Sequence, residues 1–114
     1  MIYLDSCVII YLVEEHRRWG AAVASAIGSG ESDFAVSPLV KCECLVGPIR
    51  SGSAILQREY DQLFAEFALL DMPESVFLRA AELRAHSRIK LPDALHIACA
   101  EHHRCGEPWT TTVA

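Results

Sequence analysis

The sequence predicts an α/β fold, with a short, mainly parallel sheet flanked by helices. Brief β-type runs (IYL at the amino terminus, DFAVS in the first third, FALLD past the middle) alternate with longer stretches of helical periodicity. Prolines at Pro38, Pro73 and Pro92 stand where helices would open, a position that tolerates a missing N–H. Alternation of this kind feeds strands into one parallel layer covered by its crossover helices. At 114 residues the chain has room for one domain, read as spanning 1–114.

The elements follow in order. Ile2 to Leu4 reads as a buried strand, and Ser6 to about His16 as a helix. A second helix is expected over Arg17 to Ile27, stopped by Gly28-Ser29-Gly30. Asp33 to Ser37 reads as the second strand, with a helix from Pro38 through Val46. From Ser53 to about Ala68, Leu56, Tyr60, Leu63, Phe64 and Phe67 recur at i, i+4, i+7, i+8 and i+11, an amphipathic helix. Phe67 to Asp71 reads as a third strand. Pro73 to about Ser87 is expected as a helix that buries Val76, Phe77, Ala80, Ala81 and Leu83. Pro92 to about His103 forms another, and Pro108 to Thr112 a last strand.

Composition narrows the function. Hydrophobic residues make up 52% and charged residues 22%, which supports a packed core and excludes disorder. The net charge of -5 is the wrong sign for holding nucleic acid on a broad basic patch. A nucleic-acid partner therefore requires a bound cation to invert the local field. Five cysteines, Cys7, Cys42, Cys44, Cys99 and Cys105, fit reduced, mostly buried thiols better than a disulfide framework. MIYLDS lacks a basic leader, and the longest apolar run, Val8 to Val13, is too short for a bilayer. The expectation is a soluble cytoplasmic protein with no membrane contact.

Ligands of parallel sheets bind beyond the carboxyl ends of strands. Asp5 directly follows the first strand, Glu43 lies six residues past Ser37, and Asp93 stands in the first turn opened by Pro92. Parallel strands would let the three acids converge on one edge. Converging carboxylates repel unless a cation neutralises them. Mg²⁺ and Mn²⁺ favour oxygen ligands and keep sites for water and phosphate, which points to phosphodiester hydrolysis. Each acid also has a structural reading: Asp5 as a helix N-cap, Glu43 as a polar face residue, Asp93 as a first-turn stabiliser worth about 0.3–1 kcal/mol. Spacing alone does not decide between the two.

Three motifs together do. MIYLDSCVIIYLVE, VSPLVKCECLVGPIR and LPDALHIACAEHHRC resemble, in order, the acidic motifs of PIN-domain proteins, and the nearest likeness is to VapC toxins of type II toxin–antitoxin pairs. The resemblance implies a three-layer α/β/α PIN-like fold. It also implies a Mg²⁺- or Mn²⁺-dependent endoribonuclease, with Asp5, Glu43 and Asp93 as catalytic metal ligands, neutralised by a cognate antitoxin. Two departures stand out. Cys7 occupies a position where the family often has Asn, and a thiol cannot reproduce an amide's hydrogen bonds. The family's fourth acid falls near Thr112, a neutral hydroxyl, and the chain stops at Ala114, short of the family's last helix and strand. This keeps open an alternative: a catalytically impaired PIN fold that retains antitoxin or RNA binding.

Secondary candidates carry two readings each. Ser6 fits contact with phosphate or a metal-bound water, or a role in starting its helix. His96, three residues past Asp93, fits a supporting or proton-carrying role near the acids, though a buried, hydrogen-bonded histidine is the commoner case. Arg50, Arg88 and Lys90 read foremost as solvated surface charges. His96, Cys99 and His103 share helical spacing, with Cys105 nearby, but packing is a better reading than zinc because no Cys-x-x-Cys knuckle is present. Cys42 and Cys44 should face apart. The helix from Ser53 and the apolar first helix are candidates for a homodimer or antitoxin surface.

Overall fold

The computed structural model describes residues 1–15 and 34–105. The helix expected over Arg17 to Ile27 with its Gly28-Ser29-Gly30 stop, Asp33, the final strand over Pro108 to Thr112, and Thr112 itself lie outside the described residues.

Strand β1 (Ile2–Tyr3) leads into helix α1 (Ser6–Ile10), which continues as a π-helical turn over Tyr11–Glu15. Strand β2 (Phe34–Val36) precedes α2 (Pro38–Ser51) and α3 (Ala54–Phe64); β3 (Ala68–Leu69) precedes α4 (Glu74–His86) and α5 (Leu91–His102). The described strands pair in the order β1-β2-β3, both pairs parallel. Ile2 faces Phe34 and Tyr3 faces Ala35, while Ala35 faces Ala68 and Val36 faces Leu69. The expected α/β class with a mainly parallel sheet is therefore present.

β2 is buried along its length, as a central parallel strand must be. Around it the core gathers Tyr3, Leu4, Val8, Ile9, Val36, Val40, Tyr60, Phe64, Val76, Ala80, Leu95 and Cys99. The amphipathic α3 delivers Tyr60 and Phe64 as expected, with Leu56 and Leu63 packed at the margin. Tyr60 also donates its hydroxyl proton to Glu14, fastening α3 to the turn after α1.

Two expectations needed correction. The helix opened by Pro38 does not stop at Val46 but runs through Gly47 and Pro48 to Ser51. The proline ring is buried in the core side, which offsets its lost hydrogen bond, and the Pro48 carbonyl accepts from Ser53 N–H at 3.0 Å. Gly52 then closes the helix at φ 71°, the left-handed backbone that glycine adopts without Cβ strain. In α4, Val76 and Ala80 are buried, but Phe77 is 49% exposed and Ala81 is exposed. The inward stripe is narrower than the residue types suggested: Val76, Ala80 and the half-buried Leu83, at i, i+4 and i+7.

No helix among the described residues is long and apolar enough to cross a membrane.

Candidate active site

The helices that follow β1 and β2 are each started by a side chain placed just after the strand. Asp5 follows β1 and caps α1, its Oδ1 accepting from Val8 N–H at 3.2 Å. Ser6, the next residue, is buried at 8% exposure and begins the helix. Ser37 follows β2 and caps α2, accepting from Val40 N–H at 3.3 Å. Asp5 thus fulfils its structural reading, but only one carboxylate oxygen is used. It remains half-buried, with no second hydrogen bond among the described residues.

Glu43 sits one and a half turns into α2, its side chain 29% exposed. Its Oε1 lies 2.6 Å from His96 Nε2 on α5. The other ring nitrogen, Nδ1, is 2.6 Å from the Tyr3 hydroxyl, which is 2.7 Å from Ser37 Oγ. Ser37, Tyr3, His96 and Glu43 therefore form one continuous line from the core to the surface. Ser37 and Tyr3 are fully buried and His96 nearly so.

Electrostatics ties Asp5 to this line. The Tyr3 hydroxyl is pushed well above its ordinary range, chiefly by burial; the Ser37 hydrogen bond opposes this, and the charges of Glu43 and Asp5 add to it. The Cys44 thiol is pushed up to about 12 by burial first, then by the charges of Glu43, Glu14 and Asp5. Asp5 and Glu43 thus act on the same two groups from adjacent helices. Asp93 is exposed in the first turn of α5, three residues before His96. The structure brings Asp5, Ser6, Glu43 and His96 into one neighbourhood. Among the described residues no group of three His, Cys, Asp or Glu side chains is arranged to hold one ion.

The donor chemistry still suits a hard divalent cation. Mg²⁺ typically takes one or two protein carboxylates and completes its shell with water and phosphate, so a closed three-acid cage is not required. Asp5 and Glu43 each offer a carboxylate oxygen that no described residue engages. The soft alternative does not assemble: Cys99 is fully buried, and His103 Nε2 instead lies 2.8 Å from the Asp71 carbonyl. Cys42 is exposed and Cys44 buried, so the two do face apart. Arg50, Arg88 and Lys90 are all exposed. An open cleft of about 250 Å³ between α4 and α5, lined by Ser75, Val76, Arg79, Ala98, Glu101 and His102, lies away from the acids.

Sequence reasoning missed Tyr3 and the bonding role of Ser37. The available signal was a tyrosine in an otherwise apolar strand, since a buried phenol requires a partner for its hydroxyl.

Comparison with known proteins agrees with this architecture. No curated protein shows significant sequence similarity to the chain. Among solved structures, the fold is similar to a toxin–antitoxin complex from Klebsiella pneumoniae, with TM-score 0.74, 21% identity, and 94% of this chain and 83% of that chain covered. It is similar to VapBC2 from Rickettsia felis bound to a DNA fragment from their promoter, with TM-score 0.76, 18% identity and coverage of 94% and 85%. A third likeness is to Mycobacterium tuberculosis VapC20, a Sarcin–Ricin loop cleaving toxin, with TM-score 0.78, 13% identity and coverage of 98% and 90%. At these identities the likeness is one of fold. The family model of the PIN domain matches residues 2–106, and the chain therefore belongs to the PIN domain family.

Proposed function

We propose that the chain is a single-domain, Mg²⁺- or Mn²⁺-dependent endoribonuclease of the VapC toxin type, held in check by a cognate antitoxin in the cytoplasm. Asp5, Glu43 and Asp93 are the catalytic acids and metal ligands in this reading. The observation that carries it is the pair of half-buried carboxylates, Asp5 and Glu43, each with an oxygen left open at the carboxyl edge of a parallel sheet. Fold likeness to toxins of toxin–antitoxin pairs, one described as a Sarcin–Ricin loop cleaving toxin, supports the class.

A divalent cation bound there supplies charge neutralisation for an incoming phosphate and acidifies water for attack. The residues do the rest. Asp5 and Glu43 concentrate negative charge that would otherwise repel RNA, which makes binding depend on the cation in a chain of net charge -5. His96 holds Glu43 in place through its 2.6 Å contact. Asp93, exposed in the first turn of α5, presents its carboxylate to solvent, where substrate or cation would meet it. Ser6, directly after Asp5, fits a role at the phosphate. Exposed Val46, Ile49 and Ile55 around the α2–α3 corner support an apolar surface for the antitoxin or for a homodimer.

A second reading is a PIN-fold binding module that no longer cleaves. The exposed position of Asp93 favours it. One experiment divides the two: purified protein is incubated with single-stranded RNA and Mg²⁺ or Mn²⁺, with EDTA and Asp5→Asn as controls. Cleavage abolished by both controls supports the nuclease. Cleavage that survives them rejects this site, and metal-independent RNA binding without cleavage supports the module.

A further inference from the structure

The line of hydrogen bonds behind Glu43 has a direction, and that direction bears on the proposed metal site. Four groups are involved, and donors and acceptors can be counted along it. Val40 N–H donates to Ser37 Oγ at 3.3 Å, which occupies one acceptor position of the serine and leaves its own proton to place. Ser37 is fully buried, and the other polar atom it meets among the described residues is the Tyr3 hydroxyl at 2.7 Å. The serine proton must therefore point at the tyrosine oxygen. A phenol has one proton, and with its oxygen already accepting, Tyr3 donates to His96 Nδ1 at 2.6 Å. That leaves Nε2 as the ring's protonated nitrogen, and it donates to Glu43 Oε1 at 2.6 Å. In the opposite direction the Ser37 proton would have no acceptor among the described residues and would be left as a buried orphan donor.

We propose that Ser37 and Tyr3 are positioning residues that fix His96 as the Nε2–H tautomer, and that His96 in turn fixes the carboxylate of Glu43 with Oε2 turned outward. Resting on the metal-dependent reading above, this assigns the relay a task. A neutral N–H donor orients the carboxylate without cancelling its charge, so Oε2 keeps full affinity for a cation, whereas an ion pair would weaken it. Groups of this kind behind a carboxylate or histidine ligand typically alter metal affinity by about 10–100-fold. Tyr3 suits the task because it is rigidly buried at 0% exposure in β1, two residues before Asp5, so the same strand sets both acids.

The test uses the full chain labelled with ¹⁵N-histidine, together with Mn²⁺ titration by calorimetry. In the metal-free wild type, the His96 ring is expected to show the shifts of a single Nε2–H tautomer coupled to a carboxylate. Tyr3→Phe should release it to a mixture and weaken Mn²⁺ binding about tenfold. His96→Gln, which keeps an N–H donor at the position of Nε2, should retain affinity far better than His96→Leu. A wild-type ring in the Nδ1–H form overturns the proposal even if no variant folds. So does Tyr3→Phe that leaves both tautomer and affinity unchanged. A wild type with a fixed Nε2–H ring that takes up no Mn²⁺ leaves the relay standing and removes the metal reading instead, so the two failures are told apart.

Discussion

The Cys44 thiol lies 3.9 Å from the Ser6 carbonyl oxygen, and through this contact α2 abuts the start of α1. Each partner is the residue immediately after a half-buried acid: Ser6 after Asp5, Cys44 after Glu43. A buried, compact side chain at position 44 lets the two helices approach until both carboxylates influence the same groups. The packing contact and the acidic pair are one arrangement.

Cation binding should therefore depend unequally on the three acids. Glu43→Gln and Asp5→Asn are each expected to weaken Mn²⁺ binding at least tenfold, the scale of losing a charged oxygen ligand or its support. Asp93→Asn, at an exposed position outside that pair, should cost less in binding than in RNA cleavage. Calorimetric titration beside a cleavage assay checks this. Equal losses of Mn²⁺ affinity for all three variants would mean that Asp93 closes onto the ion in solution.

The thiols should divide sharply by reactivity. Only thiolates alkylate, and burial pushes Cys44 up to about 12 and Cys99 up to about 11. Cys42 is exposed on α2. Iodoacetamide at about pH 8 should label Cys42 rapidly in the native protein, and Cys44 and Cys99 only after unfolding. Peptide mass spectrometry over time reads the order directly, and native labelling of Cys44 at the rate of Cys42 would contradict the packing of α1 on α2.

The same groups make stability fall in alkali. Cys44 and Cys99 have raised pKa values in the folded state, so the native protein holds protons that the unfolded chain releases near the ordinary thiol value of 9.0. Tyr3 shifts in the same direction from 10.0. Above these unfolded values the native state binds more protons, and the stability present below them is lost as pH rises toward the folded values. The slope is about 1.4 kcal/mol per pH unit for each such group. Urea midpoints under reducing conditions should be flat from about pH 7 to 8 and decline above about 9, with Cys44→Ala and Cys99→Ala flattening the decline. Midpoints that rise across this range would reverse the sign.

Which features are legible in the sequence follows from how local their causes are. α3 is readable because Leu56, Tyr60, Leu63 and Phe64 encode a face by themselves. The starts of α2, α4 and α5 are readable because a proline near a helix opening acts within one turn. Asp5, Glu43 and Asp93 are identifiable as candidates from ordered motifs, and His96 from its spacing to Asp93. The relay is not, since Tyr3 and His96 meet across 93 positions and only the sheet brings them together. The continuation of α2 past Gly47-Pro48 is hidden for a similar reason. A proline's local cost is visible in sequence, but the burial that offsets it is tertiary.

Two glycines on the same helical hairpin should respond to alanine with opposite signs. Gly47 lies inside α2 with nothing within 4 Å of the place a Cβ would take, so Gly47→Ala adds no clash and removes the conformational freedom of the unfolded chain. It is expected to stabilise by about 0.4–1 kcal/mol. Gly52 is equally uncrowded, but its φ of 71° is the left-handed backbone that ends α2. There a Cβ meets its own carbonyl, and Gly52→Ala should destabilise by about 1 kcal/mol, with Gly52→Asn intermediate because asparagine tolerates this conformation. Because neither site has neighbours to rearrange, the difference isolates backbone conformation from packing. Paired urea denaturation of the variants measures it. Destabilisation by Gly47→Ala as large as that by Gly52→Ala would show that α2 ends before Gly47, with Pro48 breaking the helix after all.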